Sequence, residues 1–239
     1  MQWAFFDIDG VLVHECGVAS VGYAFQLEAI KGGQIPTDYT PFFSIDSELQ
    51  VRIRELRAKV KGFHPVRKIK ALANLLEVPL QVDPVDLAAR TMDVQRAYII
   101  HRFTPEEYII PGARDLVKTL SNRYRLSTLT ANTADQARWI LQYVGLDTYF
   151  TAIIGYEPSD VHMNTKADML RAFADTTNVD FAGSIVLGDG VPDIRAGKEL
   201  GCRTVGIYAT EEDRILLEQA CFLVATGAGY DRIPSFLDS

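Results

Sequence analysis

The sequence predicts an α/β protein in which a parallel sheet is covered by helices on both faces and carries a helical insertion. A short apolar run at Trp3–Phe6 is typical of a buried strand. From residue 111 onward, further short apolar runs alternate with segments of helical periodicity, and that alternation indicates a parallel sheet. Residues 14–103 are helical in pattern, with no convincing strand. Such sheets bind ligands beyond the carboxyl ends of their strands.

Composition and charge limit the functional classes. The 239 residues carry a net charge of -7, which argues against general nucleic-acid binding because that favours basic surfaces. No apolar run approaches the roughly 18 residues that a membrane span needs. The start at Met1 lacks the features of a signal peptide, so we expect a cytoplasmic protein. Three cysteines are too few and too scattered for a disulfide framework or a zinc site, and we expect all three to be buried: Cys16, Cys202 and Cys221.

The first strand leads directly into two carboxylates. Asp7 and Asp9 follow Phe6 with one residue between them, and alternate residues of a regular strand would share a face. Gly10 then lets the backbone turn sharply. Because acidic groups beside an apolar strand are costly to bury without compensation, the pair indicates a cation site.

The insertion has the pattern of a small helical bundle. Leu49, Ile53, Leu56 and Val60 recur at helical spacing, and glycines and prolines separate this segment from its neighbours. Residues 14–105 carry a net charge of +2, whereas the remainder carries -9. We therefore expect an acidic layer suited to a cation and a mildly basic layer in the insertion.

The later strands also end in polar residues. We expect these strands at residues 126–129, 152–154, 184–187, 204–207 and 222–224. Thr130 and Asn132 follow the second strand, and Asp189 and Asp193 follow the fourth. Lys166 stands at the start of the helix between the third and fourth strands.

Together these residues resemble the four motifs of the haloacid dehalogenase (HAD) superfamily, in the expected order and structural context. The motifs are an Asp-x-Asp nucleophile pair, a Ser/Thr after the second strand, a Lys at a helix start and a Gly-Asp-x-x-x-Asp after a later strand. The resemblance covers residues 1–13 and about 106–225. It implies a HAD-like Rossmannoid core of residues 1–13 and 106–239. Residues 14–105 resemble the α-helical cap of the phosphoglycolate phosphatase and beta-phosphoglucomutase branch.

The resemblance also implies catalytic roles. Asp7 is the expected nucleophile that forms an aspartyl-phosphate, and Asp9 the general acid and base. Thr130 is expected to donate its hydroxyl to a phosphoryl oxygen, and Lys166 to neutralise charge on the transferring group. Thr130 could instead simply end a strand and cap the next helix, and Lys166 could be solvated.

The expected cofactor is Mg²⁺. The resemblance places it between the carboxylates of Asp7 and Asp189 and the backbone carbonyl of Asp9. Asp193 is expected to lie behind these ligands, where it binds a metal-bound water or Lys166.

Substrate specificity is expected to lie in the insertion. Residues 62–68 match the position of the specificity loop in related caps, so His64, Arg67 and Lys68 are candidates for contact with the leaving group, and Asn132 is a candidate second donor. The basic run around them could equally be a solvated helix face.

These residues predict a Mg²⁺-dependent phosphomonoester hydrolase that acts on a small phosphorylated metabolite, as a monomer or homodimer, with no nucleic-acid or membrane partner. The second Asp favours phosphoryl transfer over carbon–halogen cleavage. Two alternatives stay open: a phosphomutase of the beta-phosphoglucomutase type, and a binding protein that keeps the fold without turnover.

Overall fold

The computed structural model describes residues 1–60, 63–157 and 165–238. Within these ranges the chain divides into two compact units. The sheet unit comprises residues 1–14, 105–157 and 165–238, and the helical unit comprises residues 15–60 and 63–104.

A parallel sheet forms the centre of the sheet unit. Its strands are β1 (Trp3–Phe6), β2 (Arg125–Thr128), β3 (Phe150–Ala152), β4 (Ile185–Gly188), β5 (Arg203–Tyr208) and β6 (Phe222–Ala225). Among the described residues the sheet has six strands in the order β3-β2-β1-β4-β5-β6, and every neighbouring pair is parallel. This arrangement confirms the predicted α/β fold.

The strand order reverses at β1, which pairs with β2 on one side and β4 on the other. The backbone N–H of Asp7 donates to the Leu187 carbonyl at 2.9 Å, and that of Leu129 donates to the Phe6 carbonyl at 2.7 Å. These bonds hold the carboxyl ends of the three central strands side by side. In parallel sheets ligands bind at such a reversal.

The longer helices cover the sheet because they have an apolar stripe to bury. α6 buries Ala113, Leu116, Val117 and Leu120. The helices of the sheet unit are α5 (Pro105–Tyr108), α6 (Ala113–Ser121), α7 (Ala134–Tyr143), α8 (Lys166–Thr176), α9 (Val191–Glu199), α10 (Glu211–Leu216) and α11 (Arg232–Leu237).

The third strand lies two residues earlier than the sequence predicts. The apolar pair Ile153–Ile154 favoured a strand over 152–154, but β3 ends at Ala152. The pairing register between β2 and β3 shifts at Leu126/Ser127. Beyond the shift, the backbone N–H of Ile154 donates to the Thr128 hydroxyl at 2.9 Å, so Ile154 stays buried beside the sheet without belonging to its ladder.

The helical unit contains α1 (Val18–Gly32), α2 (Ser47–Val60), α3 (Pro65–Leu75) and α4 (Pro84–Arg102). Ile53, Leu56 and Val60 of the predicted stripe are buried in its core. The expectation that all three cysteines are buried is wrong, because Cys202 is buried but Cys16 and Cys221 are exposed. Among the described residues, no helix is both long and apolar enough to cross a bilayer.

Candidate active site

Asp7 lies in the loop that begins where β1 ends. Its Oδ1 accepts a hydrogen bond from the Ile8 backbone N–H at 2.8 Å, and its Oδ2 lies 2.8 Å from Nζ of Lys166. Asp7 and Asp9 therefore do not share the face of a strand, because the strand has already ended at Phe6. The backbone contact and the ion pair fix the orientation of the Asp7 carboxylate.

Lys166 is placed at the site by the start of α8. The side chain of Thr165 accepts a hydrogen bond from the Asp168 backbone N–H, and the Asp168 side chain accepts one from the Thr165 N–H. This capping box satisfies helix-terminal donors and fixes where the helix begins. Lys166 is consequently the first residue of α8, and its ammonium group is buried.

Asp193 connects two of the elements that build the site. Its Oδ1 lies 2.5 Å from Nζ of Lys166, and its Oδ2 accepts a hydrogen bond from the Gly190 backbone N–H at the start of α9. Burial raises the pKa of Asp193 to about 6, even though the Lys166 ammonium opposes that shift. Burial lowers the pKa of Lys166, but the carboxylates of Asp193 and Asp7 outweigh burial and raise it above its ordinary value. The lysine therefore stays charged between its two partners.

Three carboxylates converge around this lysine. One oxygen each of Asp7, Asp189 and Asp193 lies within 4.8 Å of the other two. Asp189 is the exposed member and Asp193 the buried one. One ammonium group cannot neutralise three carboxylates, so the cluster has the oxygen donors and the excess negative charge that suit a divalent cation such as Mg²⁺. The structure thus brings together Asp7 and Asp189, and it places Asp193 behind them against Lys166.

Asp9 has a different partner from Asp7. The side-chain amide of Asn132 donates to Oδ2 of Asp9 at 2.8 Å. Asn132 is held in turn because its backbone N–H donates to the hydroxyl oxygen of Thr130 at 3.2 Å. Thr130 is buried two residues after the end of β2, and its hydroxyl proton is not used in this contact. The amide predicted as a substrate donor therefore orients the expected acid–base residue.

Gly10 allows the Asp9 loop to approach Asp189. A Cβ at position 10 would lie 2.3 Å from Oδ2 and 2.8 Å from Cγ of Asp189, and the φ angle of Gly10 is +75°. The sequence indicated a turn at this glycine but gave no sign of the close approach, because the two residues are far apart along the chain.

We expect Gly10→Ala to lower Mg²⁺ affinity by about tenfold or more, because Asp189 must move away from the other carboxylates. The positive φ should also cost about 1–2 kcal/mol of stability. Gly201→Ala is the matched control, because Gly201 has φ +78° with nothing within 4 Å of the added Cβ. Calorimetric titration with Mg²⁺ and denaturant unfolding separate the two effects. Equal Mg²⁺ affinity in the two variants would contradict the role of the close approach.

Tyr230 supports the same loop from the C-terminal part of the chain. Its hydroxyl donates to the Val11 backbone carbonyl at 2.6 Å, and burial raises its pKa well above the ordinary value. The sequence carries no signal for this contact, because a lone tyrosine lies outside every motif and 219 positions from its partner.

The candidate residues of the insertion lie in the helical unit, and residues 61–62 at the start of the predicted specificity loop lie outside the described ranges. His64 is buried, and its Nδ1 accepts a hydrogen bond from the Val66 N–H as the N-cap of α3. The Arg67 guanidinium lies 5.5 Å from the Phe63 ring centroid, and the Lys68 ammonium lies 5.6 Å from that of Tyr23. Their contact with substrate stays a prediction.

A family model for haloacid dehalogenase-like hydrolases matches residues 1–201, which include every motif residue described above. The chain belongs to this family. Its HAD-like fold is also shared by solved structures at low sequence identity. CbbY from Rhodobacter sphaeroides, solved in complex with phosphate, has a TM-score of 0.72 at 17% identity and full coverage of both chains. The beta-phosphoglucomutase of Clostridium difficile has a TM-score of 0.69 at 17% identity, with 99% of this chain and 96% of that one covered.

A curated relative aligns with part of this HAD-like chain. The phosphoglycolate phosphatase of Neisseria meningitidis is 32% identical over 94 residues, which are 39% of this chain and 40% of that protein's length. The alignment thus spans less than half of either protein.

Proposed function

We propose that this HAD-like hydrolase is a Mg²⁺-dependent phosphomonoester hydrolase that acts through an aspartyl-phosphate at Asp7. One observation carries the proposal: Asp7 is oriented by the Ile8 N–H and Lys166 within a cluster of three carboxylates. A carboxylate that must attack an anionic phosphoryl group needs compensation of this kind. The alignment with a phosphoglycolate phosphatase supports the same reaction class.

In the proposed reaction a carboxylate oxygen of Asp7 attacks phosphorus, and the bond from phosphorus to the leaving oxygen breaks. Lys166 holds Asp7 in place and offsets charge on the phosphoryl oxygens. The Thr130 hydroxyl donates a hydrogen bond to one of those oxygens. Water then attacks phosphorus of the acyl phosphate, which releases inorganic phosphate and restores Asp7.

Asp9 moves the protons in this scheme. It gives a proton to the leaving alkoxide in the first step and takes one from the attacking water in the second. Asn132 donates to Oδ2 of Asp9. That bond limits rotation of the Asp9 carboxylate, which carries the transferred proton.

The carboxylates of Asp7 and Asp189, with the Asp9 backbone carbonyl, are the proposed ligands for Mg²⁺. A bound divalent cation would offset the repulsion between the Asp7 carboxylate and the negatively charged phosphoryl group. Asp193 holds Lys166 from the buried side, which keeps the ammonium group beside Asp7.

The helical unit is the proposed source of substrate specificity, with Arg67 and Lys68 as the candidate residues. His64 is better explained as the buried cap of α3. A cytoplasmic location and the absence of nucleic-acid or membrane partners stay predictions.

The deciding experiment measures release of inorganic phosphate from a panel of phosphorylated metabolites, with Mg²⁺ and with excess chelator. The panel includes phosphoglycolate, after which the Neisseria meningitidis relative is named. It also includes xylulose-1,5-bisphosphate, which is bound in a solved structure of a CbbY variant from Rhodobacter sphaeroides. Turnover that needs Mg²⁺ supports the hydrolase. Isomerisation of a sugar phosphate without phosphate release would favour the phosphomutase, and binding without either reaction would favour the non-catalytic protein.

We expect Asn132→Ala to lower kcat about tenfold to a hundredfold on alkyl phosphates and much less on aryl phosphates with good leaving groups. An aryl oxide leaves without a proton, so the orientation of Asp9 matters less to it. Asn122→Ala is the control, because the Asn122 amide is exposed and donates to the Lys118 carbonyl of its own helix end, away from the Asp9 carboxylate to which Asn132 donates. Equal losses on both substrate classes would show that Asn132 does not act through Asp9.

A further inference from the structure

The helical unit presents a groove that its own core does not fill. The groove runs along α2 to the end of α3 and holds about 590 Å³. Its lining residues are Glu48, Val51, Arg52, Glu55, Leu56, Lys59, Leu75 and Leu76. Val51 is 51% exposed and Leu75 is 42% exposed. An apolar strip with charged side chains along it is a common feature of contact surfaces between proteins.

The charges along this groove alternate in a self-complementary order. Reading along α2, the charged lining residues are Glu48, Arg52, Glu55 and Lys59, so acidic and basic side chains follow one another at spacings of four, three and four. Within the described ranges, none of these four forms an ion pair. The order of signs reverses when the helix is read backwards.

Because of this reversal, a two-fold axis perpendicular to α2 at its middle would place opposite charges of two copies side by side. If a second α2 lies antiparallel with its centre at the same level, Glu48 is level with Lys59 of the other copy, and Arg52 with Glu55. Val51 is then level with Leu56. Each contact occurs twice, as an interface between identical surfaces requires. A parallel arrangement in register would instead place like charges side by side.

We propose that the α2 groove is the site where two copies of this chain associate as an antiparallel, two-fold symmetric dimer. The contact is small and rich in charge, so the association is weak, rapid and sensitive to salt. The second copy is favoured over an unrelated partner because the sequence of signs on this helix complements itself.

Charge reversal on the full chain tests the dimer by analytical ultracentrifugation over a range of concentrations. Arg52→Glu places acidic groups at positions 52 and 55 of both copies, and Glu55→Arg makes both positions basic. Each variant should weaken self-association at least about tenfold, because both symmetry-related contacts become repulsive. An equimolar mixture of the two variants should associate again, since an acidic groove then meets a basic one. The double variant should recover the wild-type behaviour.

Arg54→Glu is the matched control, because Arg54 is an exposed residue of α2 that does not line the groove. It should leave the association constant within about twofold of wild type, and circular dichroism should show the same helix content in all variants. A wild-type chain that stays monomeric at every concentration would overturn the proposal. So would single variants that dimerise normally, or a mixture that does not associate.

Discussion

Asp7→Asn should reduce phosphate release by at least about a thousandfold, because an amide cannot attack phosphorus as a carboxylate does. The substitution keeps the size of the side chain and the oxygen that accepts the Ile8 N–H. It also leaves Asp189, Asp193 and Lys166 in place. The variant should therefore fold and still bind substrate, and the loss should fall on kcat.

Two measurements check this expectation. Steady-state phosphate release gives kcat, and acid quenching with a radiolabelled substrate shows whether a phosphoryl group is attached to the protein. We expect label on the wild-type chain at Asp7 and none on the variant. Asp115→Asn is the control, because Asp115 is an exposed acid in the first turn of α6. Residual activity of Asp7→Asn near that of Asp115→Asn would exclude Asp7 as the nucleophile.

The order of polar residues at strand ends was enough to predict the centre of the site. Asp7 and Asp189 follow strands whose apolar pattern is readable, and Lys166 is the first residue of a helix with a readable pattern. Parallel strands bring their carboxyl ends together. The fold then places the three side chains at one edge without further information. This explains why the α/β class and the convergence of these residues could be predicted from the sequence.

Contacts between loops could not be predicted in the same way. Asn132 bonds to Asp9 across 123 positions of the chain. The near contact of Gly10 with Asp189 depends on a backbone angle that no pattern encodes. The third strand shows the same limit on a smaller scale. An apolar pair favoured a strand at Ile153–Ile154, but the pairing register with β2 decided where the strand ended.

Lys166→Met should remove activity and stability together. The ammonium group lies between two carboxylates, at 2.8 Å from Asp7 Oδ2 and 2.5 Å from Asp193 Oδ1. Lys166 and Asp193 are both buried, so removing the cation leaves carboxylates without compensation. Breaking a buried pair from one side costs about 3–5 kcal/mol. Loss of charge stabilisation at the phosphoryl group should lower kcat about a hundredfold to a thousandfold.

The two effects can be separated. Adding Asp193→Asn to Lys166→Met removes the buried carboxylate, so it should restore most of the free energy of unfolding without restoring kcat. Mg²⁺ should likewise stabilise Lys166→Met more than wild type, because the cation would then offset carboxylate charge that the lysine no longer neutralises. Urea unfolding with and without Mg²⁺, together with phosphate release, measures both. The control is Lys198→Met, which removes an exposed ammonium from α9 and should change stability by less than about 0.5 kcal/mol. If Lys166→Met were as stable as this control, the lysine could not be the group that holds the carboxylates together.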